Sequence, residues 1–273
     1  MTVKHRTVGT SSQLLTCQLE PGQSVYAEPG KFLWKTTNVA LETRLTKPTT
    51  ESGAGGTGGG DAADAGAPPS AGASFLKKAM DVGKRVVAGE SLALQYFTAQ
   101  GGAGLVSFSG LLPGEVRALE LDGTGGWFCE RSTLIAAETS ANFDIAFSGW
   151  KAARSGGLGF VLERFTGTGS VFVAAAGSFE SINPAKYGGK VQVDTGSVVA
   201  FQDSLRYGVE LIGGLSGQTL MAGLFGGEGV HLATLEGDGE VLLQSTTVES
   251  LARVLRHDPR PADERKGALG GIF

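Results

Sequence analysis

The chain has 273 residues and a formal net charge of −4, enough length for one large domain or two small ones around a sizeable core. It carries 44 Gly, with charged residues at 18% and hydrophobic residues at 41%, a globular composition and not a disordered one. The acidic pI near 5.5 leaves no electrostatic footprint for nucleic acid, two Cys cannot build a disulfide scaffold, and no apolar run approaches the ~18 residues of a membrane span.

Lys4, His5 and Arg6 precede a polar stretch with no apolar h-region, which argues against a signal peptide and for a cytoplasmic location. Leu15, Cys17 and Leu19 alternate with Thr16 and Gln18 as a strand does, and Pro21–Gly22 turns the chain. From Thr46 to Ser74 there is no Leu, Ile, Val or aromatic residue; within 51–73 stand eight Gly, seven Ala and two Pro. Such a stretch cannot bury enough apolar surface to offset its ordering entropy, so 46–74 is expected to be a flexible insertion. In 75–88, Phe75, Leu76, Met80, Val82, Val86 and Val87 lie among Lys77, Lys78, Lys84 and Arg85, a pattern that predicts a short amphipathic helix. Short β-patterned runs follow at 91–97, 104–108, 115–121, 171–176, 190–193, 230–235 and 240–244. Val248, Leu251, Ala252 and Leu255 then share one helix face, so 248–273 reads as a short helix and a loose tail.

Internal self-similarity organises these runs. Phe97-Thr98-Ala99-Gln100-Gly101 with the strand after it resembles Phe165-Thr166-Gly167-Thr168-Gly169, and a more diverged copy is Leu235-Glu236-Gly237-Asp238-Gly239. Each reads as a hairpin with a Gly-rich tip. Leu19 through Ala27 likewise resembles Leu121-Asp122-Gly123 with Trp127-Phe128-Cys129, and again Val193-Asp194 through Ala200. These matches predict a single β domain over 1–247, made of three pseudo-repeats at about 10–112, 113–185 and 186–247. The first is lengthened by the Gly/Ala-rich insertion.

The run from Leu15 through Leu19-Glu20-Pro21-Gly22-Gln23-Ser24-Val25-Tyr26-Ala27-Glu28-Pro29-Gly30 is similar to the opening of the altered-inheritance-of-mitochondria protein 24 family. Gly89-Glu90-Ser91-Leu92 before Phe97-Thr98-Ala99, Leu112-Pro113-Gly114-Glu115-Val116, and Gly226-Gly227-Glu228-Gly229 before Gly237-Asp238-Gly239-Glu240-Val241-Leu242-Leu243-Gln244 also match the family pattern. The resemblance spans about 10–247, omitting the insertion, and rests on the order and spacing of these stretches. It implies an all-β fold like that of the tryptophan RNA-binding attenuation protein: three short double-stranded β-helix (jelly-roll-like) units per chain, often oligomeric. Its fungal members are linked to the scaffold of the mitochondrial inner membrane. The insertion is longer than the family pattern suggests. The second repeat has Ser155-Gly156-Gly157-Leu158-Gly159 and lacks a counterpart of Glu228. The resemblance supplies a fold and no active site.

A search for chemistry returns little. His5, His231 and His257 are far apart, no His-x-His occurs, and a metal site on a β-barrel needs clustered His and carboxylate on neighbouring strands. Cys17 shares a strand face with Leu15 and Leu19, the pattern of a buried packing thiol, and Cys129 also sits in an alternating strand. Gly30-Lys31, Gly83-Lys84 and Gly189-Lys190 lack the glycine spacing and the Ser/Thr of a phosphate loop. Asp238 and Glu240 flank a turn and read as a solvated hairpin tip. Trp34, Trp127 and Trp150 fall near strand ends, and 14 Phe against 4 Tyr is the bias of a core. No catalytic, cofactor-binding or metal-ligating residue is therefore assigned, and no cofactor is expected.

The functional expectation is a non-catalytic scaffold or interaction protein, with a small-molecule or nucleic-acid binding module on the same fold as the alternative. Strand edges that need covering point to a homo-oligomer, a trimer first, beside an unknown protein partner. The acidic balance argues against nucleic acid, and the basic residues of 75–88 leave peripheral membrane contact open.

Overall fold

The computed structural model describes residues 2–46, 92–148, 161–211 and 231–256. The expected helix at 75–88, the insertion beyond Thr46, and the tail from His257 lie outside these residues. What is described is an all-β protein of antiparallel sheets with one α-helix. No helix among the described residues is long and apolar enough to cross a membrane.

The N-terminal part contains β1 (Lys4–Val8), β2 (Leu14–Leu19), β3 (Ser24–Ala27), β4 (Phe32–Lys35), β5 (Val39–Thr46), β6 (Leu92–Ala99) and β7 (Gly104–Ser109). The Leu15/Cys17/Leu19 face is fully buried, as its alternation predicts. β2 lies between β1 and β7, with Leu15 opposite Thr7 and Phe108. β7 also takes β4 on its other side, and β6 lies between β3 and β5.

The middle part runs β8 (Val116–Asp122), β9 (Trp127–Glu130), β10 (Leu134–Glu138), β11 (Ala141–Ser148) and β12 (Val161–Ala174). At 14 residues β12 is long enough to change partners along its length. Its first half pairs with β9 and β11, its second with β8 and β10. The change falls at Gly167 and Gly169, whose φ of 98° and 102° other residues rarely adopt. A Cβ at Gly169 would also stand 2.7 Å from Ser140 Oγ.

The C-terminal part contains β13 (Phe179–Ile182), β14 (Lys190–Asp194), β15 (Val198–Gln202), β16 (Arg206–Leu211), β17 (His231–Glu236) and β18 (Val241–Gln244). β18 pairs with β13 and β15, and β17 with β14 and β16. The helix α1 (Val248–Arg256) follows. Its start is held by reciprocal bonds: the Ser250 amide donates to Thr247 Oγ1 at 3.0 Å, and the Thr247 amide to Ser250 Oγ at 3.1 Å.

Two pairings weld the parts together. β10 pairs with β3, placing Ala137 opposite Tyr26, and β15 pairs with β9, placing Phe201 opposite Phe128. One sheet therefore runs through all three parts. Gly114 and Gly177 add a parallel bridge so close that a Cβ on Gly114 would collide with the Ala175 carbonyl oxygen. The core follows the same division. One cluster holds Leu15, Leu19, Phe97 and Phe108 and borrows Ile135, Ala136 and Phe172 from the middle part; a second centres on Trp127, Phe165 and Val171; a third holds Val198, Phe201, Leu235 and Val241.

Candidate functional site

A cluster of ionisable side chains lies where the N-terminal and middle parts meet. β3 ends at Ala27, and the turn Glu28-Pro29-Gly30 delivers Lys31 to a position only 2% exposed. Across the junction, Glu130 closes β9 and caps a single 3-10 turn (Arg131–Thr133), accepting from the Ser132 amide at 2.9 Å. Lys31 Nζ donates to the Ser132 carbonyl oxygen at 2.8 Å. Arg131 Nε donates to Glu28 Oε1 at 2.9 Å, and Glu163 Oε1 stands 3.8 Å from the same nitrogen. Glu163 comes from β12, opposite Cys129, and is 1% exposed with no hydrogen-bond partner for Oε1.

Burial dominates the electrostatics of this cluster. It pushes Glu163 up to about 8; the nearby Glu28 and Glu130 carboxylates add to the shift, and Arg131, already committed to Glu28, offsets only part of it. Burial also raises Glu130 and lowers Lys31. At neutral pH the junction therefore holds a protonated Glu163 beneath an Arg131–Glu28 pair. The alternation of β9 and β12 places charges here among apolar neighbours, the one sequence signal that could have singled out Glu130 and Glu163. Pairing of segments so far apart in sequence brings them together.

A second junction side chain, Glu138, is 4% exposed, and its Oε1 accepts from the amides of Val3 and Ser170, both at 3.0 Å. It ties the N-terminal segment to the middle part. His5 adds an edge-on contact with Phe172 at 4.8 Å between ring centroids.

The residues weighed in the sequence occupy separate places. His5 is on β1 and His231 opens β17, while His257 lies outside the described residues. No group of three or more His, Cys, Asp or Glu able to hold a metal occurs among the described residues. Cys17 and Cys129 are free thiols in different core clusters. Burial, with Glu138 nearby, pushes Cys17 up to about 12, and burial likewise raises Cys129. Neither is a thiolate nucleophile at neutral pH. Asp238 accepts from Asn183 Nδ2 at 2.7 Å; Glu240 accepts from Ser181 Oγ at 2.6 Å and from Arg117 at 3.1 Å. None of the three expected hairpins forms: β6 and β7, and β17 and β18, pair with other strands and not with each other, and 165–173 lies inside the single strand β12. Asp238 and Glu240 therefore latch a turn between sheets onto its neighbours. Trp127 is buried, Trp34 is 43% exposed, and Trp150 falls outside the described residues, as does Glu228. A shallow cleft of 350 Å³ opens beside β13, β14 and β18, lined by Phe179, Glu180, Val193, Asp194 and Leu243 among others.

Comparison with known proteins agrees with the architecture. An uncharacterized protein of Streptococcus pyogenes serotype M6 is 29% identical over 244 residues, 89% of this chain and 85% of that protein. A crystal structure of a Streptococcus pyogenes protein superposes with a TM-score of 0.68 over 93% of this chain and 98% of its own, at 24% identity, a likeness of fold. The family described as mitochondrial biogenesis AIM24 matches residues 5–246, in line with the resemblance read from the sequence. The chain belongs to that family.

Proposed function

We propose that the protein is a non-catalytic structural or interaction protein built from three repeated β units: β2–β7, β8–β12 and β13–β18. The strand pairings support this reading. In each set the first strand (β2, β8, β13) and the third (β4, β10, β15) pair with the end of the set, that is with β7, the second half of β12, and β18. The second strand (β3, β9, β14) and the fourth (β5, β11, β16) pair with β6, the first half of β12, and β17. The register shifts at the same place in every third strand: between Phe32 and Trp34, between Leu134 and Ala136, and between Val198 and Ala200. The residues ahead of the three glycine-rich stretches align as well. Phe97 stands opposite Val25 and Leu41, Phe165 opposite Trp127 and Phe143, Leu235 opposite Val191 and Tyr207. In this reading the third unit opens at Phe179, one strand ahead of the boundary at 186 suggested by self-similarity, because β13 takes the place of β2 and β8.

The observation that carries the non-catalytic reading is what the polar side chains do. At one equivalent position past the third-strand bulge, Thr36 Oγ1, Glu138 Oε1 and Gln202 Oε1 accept from the amides of Leu105, Ser170 and Glu240 at 3.0, 3.0 and 2.8 Å. Three chemistries do one structural task. The free thiols suit a reducing compartment, so a cytoplasmic location is part of the reading. The alternative, a binding module, has the cleft beside β14 in its favour; its Glu180 and Asp194 favour a neutral or cationic ligand over a phosphate. Native mass spectrometry of freshly purified protein separates the two. Bare multiples of 28.0 kDa are expected; a further mass retained by each subunit overturns the non-catalytic scaffold in favour of the binding module.

A further inference from the structure

Two carboxylates at the first junction compete for one guanidinium, and they come from different parts of the molecule. Glu28 sits in the turn after β3, in the N-terminal part; Glu163 sits on β12, in the middle part. Arg131, in the 3-10 turn after β9, stands between them. Its Nε donates to Glu28 Oε1 at 2.9 Å and lies 3.8 Å from Glu163 Oε1. The Arg131–Glu28 pair therefore ties the two parts together, whereas an Arg131–Glu163 pair would lie wholly within the middle part. Lys31 adds a second tie from the same turn, donating to the Ser132 carbonyl oxygen at 2.8 Å.

The two carboxylates differ in their access to water. The Glu163 side chain is 2% exposed and the Glu28 side chain 15%. Glu163 Oε1 is buried without a hydrogen-bond partner. An acid so placed stays neutral while the cation beside it is engaged elsewhere. Once ionised it needs that cation, and a buried anion gains more from a guanidinium than one that can turn outward to water. A charge-assisted hydrogen bond forms at ~2.7–2.9 Å, so Arg131 has only a short way to move.

The groups packed around Glu163 leave Arg131 as the cation that answers it. In register, Cys129 of β9 and Ile145 of β11 lie opposite. Tyr26 of β3 feels the Glu163 charge, with Tyr96 of β6 beside it at 5.8 Å between ring centroids. Burial holds Cys129 and Tyr26 far above their ordinary values, so both remain neutral. Glu130 caps the 3-10 turn through the Ser132 amide and hydroxyl. Lys31 is held on the Ser132 carbonyl between the charges of Glu28 and Glu130. Arg164, the next residue of β12, pairs with Asp203 instead.

We infer that ionisation of Glu163 draws Arg131 off Glu28, so that a rise in pH exchanges a pair linking the N-terminal and middle parts for a pair within the middle part. The junction is a proton-operated latch: closed while Glu163 holds its proton, open once the proton leaves. With Glu163 raised to about 8, it opens just above neutrality. The β3–β10 ladder does not depend on Arg131, so what loosens is the turn Glu28-Pro29-Gly30 that carries Lys31 into β4, not the fold.

Nuclear magnetic resonance of the full chain tests the exchange. Carbon-detected spectra of the arginine Cζ–Nε pairs report the partner of each guanidinium, with Arg131 assigned by its loss in Arg131→Lys. Between pH 6 and pH 9.5 the Arg131 signal is expected to shift with a midpoint near 8, and to hold still in Glu163→Gln. The Ser109 amide donates to the Lys31 carbonyl oxygen at 2.9 Å and so reports on the released turn. Its protection from hydrogen exchange, corrected for the chemical rate, should fall above the same midpoint in the wild type and not in Glu163→Gln. Glu28→Gln removes both the competitor and a like charge, and is expected to lower the midpoint. An Arg131 signal that stays fixed in the wild type overturns the inference. So does one that titrates equally in Glu163→Gln, which would assign the proton to another acid such as Glu130. A shift of Arg131 without loss of Ser109 protection, or a midpoint unmoved in Glu28→Gln, likewise overturns it, because Glu28 was then never released.

Discussion

β10 and β4 are built on one plan and live in different surroundings. Each is a short strand with a register shift near its start, β10 pairing with β12 and β4 with β7, and in the proposed three-unit reading each is the third strand of its unit. β10 is buried along its whole length, and Ala137 and Glu138 pair with the neighbouring β3. β4 carries Leu33, Trp34 and Lys35 on an edge without a second neighbour among the described strands. The neighbouring strand, and not local propensity, makes one a core strand and the other a surface among the described residues. A charge placed at the same point of each strand should therefore have opposite consequences.

The largest effect is expected at Ala136. Ala136→Glu buries a charge where there is no room and no partner, and should cost about 4 kcal/mol or more, read as a fall in the chemical denaturation midpoint. Trp34→Glu at the equivalent point of β4 should change the stability of the single chain by less than ~1 kcal/mol. Equal losses at both sites would end the comparison. The amide-accepting series is expected to be graded. Glu138→Ala orphans two buried amides and should cost ~3 kcal/mol, while Gln202→Ala and Thr36→Ala orphan one each, at ~1–2 kcal/mol by urea unfolding.

Glu163 sharpens the comparison through pH. Its folded value is raised to about 8 from an ordinary 4.5, so across that window the folded chain holds a proton that the unfolded chain gives up. Stability contributed by this group therefore falls as pH rises from 4.5 to 8 and levels off above. Glu163→Gln should flatten that slope and raise stability at pH 8 by an amount on the order of 1–2 kcal/mol. A slope unchanged in the variant would show that Glu163 titrates normally. The smallest effect is expected at Arg206, whose pair with Glu236 at 2.6 Å is solvent-exposed at 80% on the Arg side; Arg206→Ala should shift the melting point within error, within ~0.5 kcal/mol.

Much of the fold was legible because β-structure has a short code. Alternation at Leu15–Leu19 lies in a strand and the Gly-rich stretches at 98–101 and 236–239 lie at turns, since period-two burial and turn glycines are local requirements, whereas 166–169 runs on inside β12, where the glycines mark a change of partner strands. In the proposed three-unit reading, the third copy of the Leu19–Ala27 motif falls one strand late. Val193-Asp194 through Ala200 spans β14 and β15, whereas Leu19 through Ala27 spans β2 and β3. Similar strand–turn–strand patterns occur at every step around a unit, so pattern alone cannot say which step is seen.

The candidate site was not legible. Glu28, Lys31, Arg131 and Glu163 span more than 130 positions and meet only because β3 pairs with β10 and β9 with β12. Thr36, Glu138 and Gln202 do the same work with different side chains, and a sequence comparison has no reason to group them. The sequence by itself determined the strands, the turns and the thiols' place in the core, because each depends on neighbours a few residues away. Only the tertiary structure decided which acid is buried, which polar atoms hold which amides, and which strands lie side by side. Those outcomes depend on pairings between strands far apart in the chain.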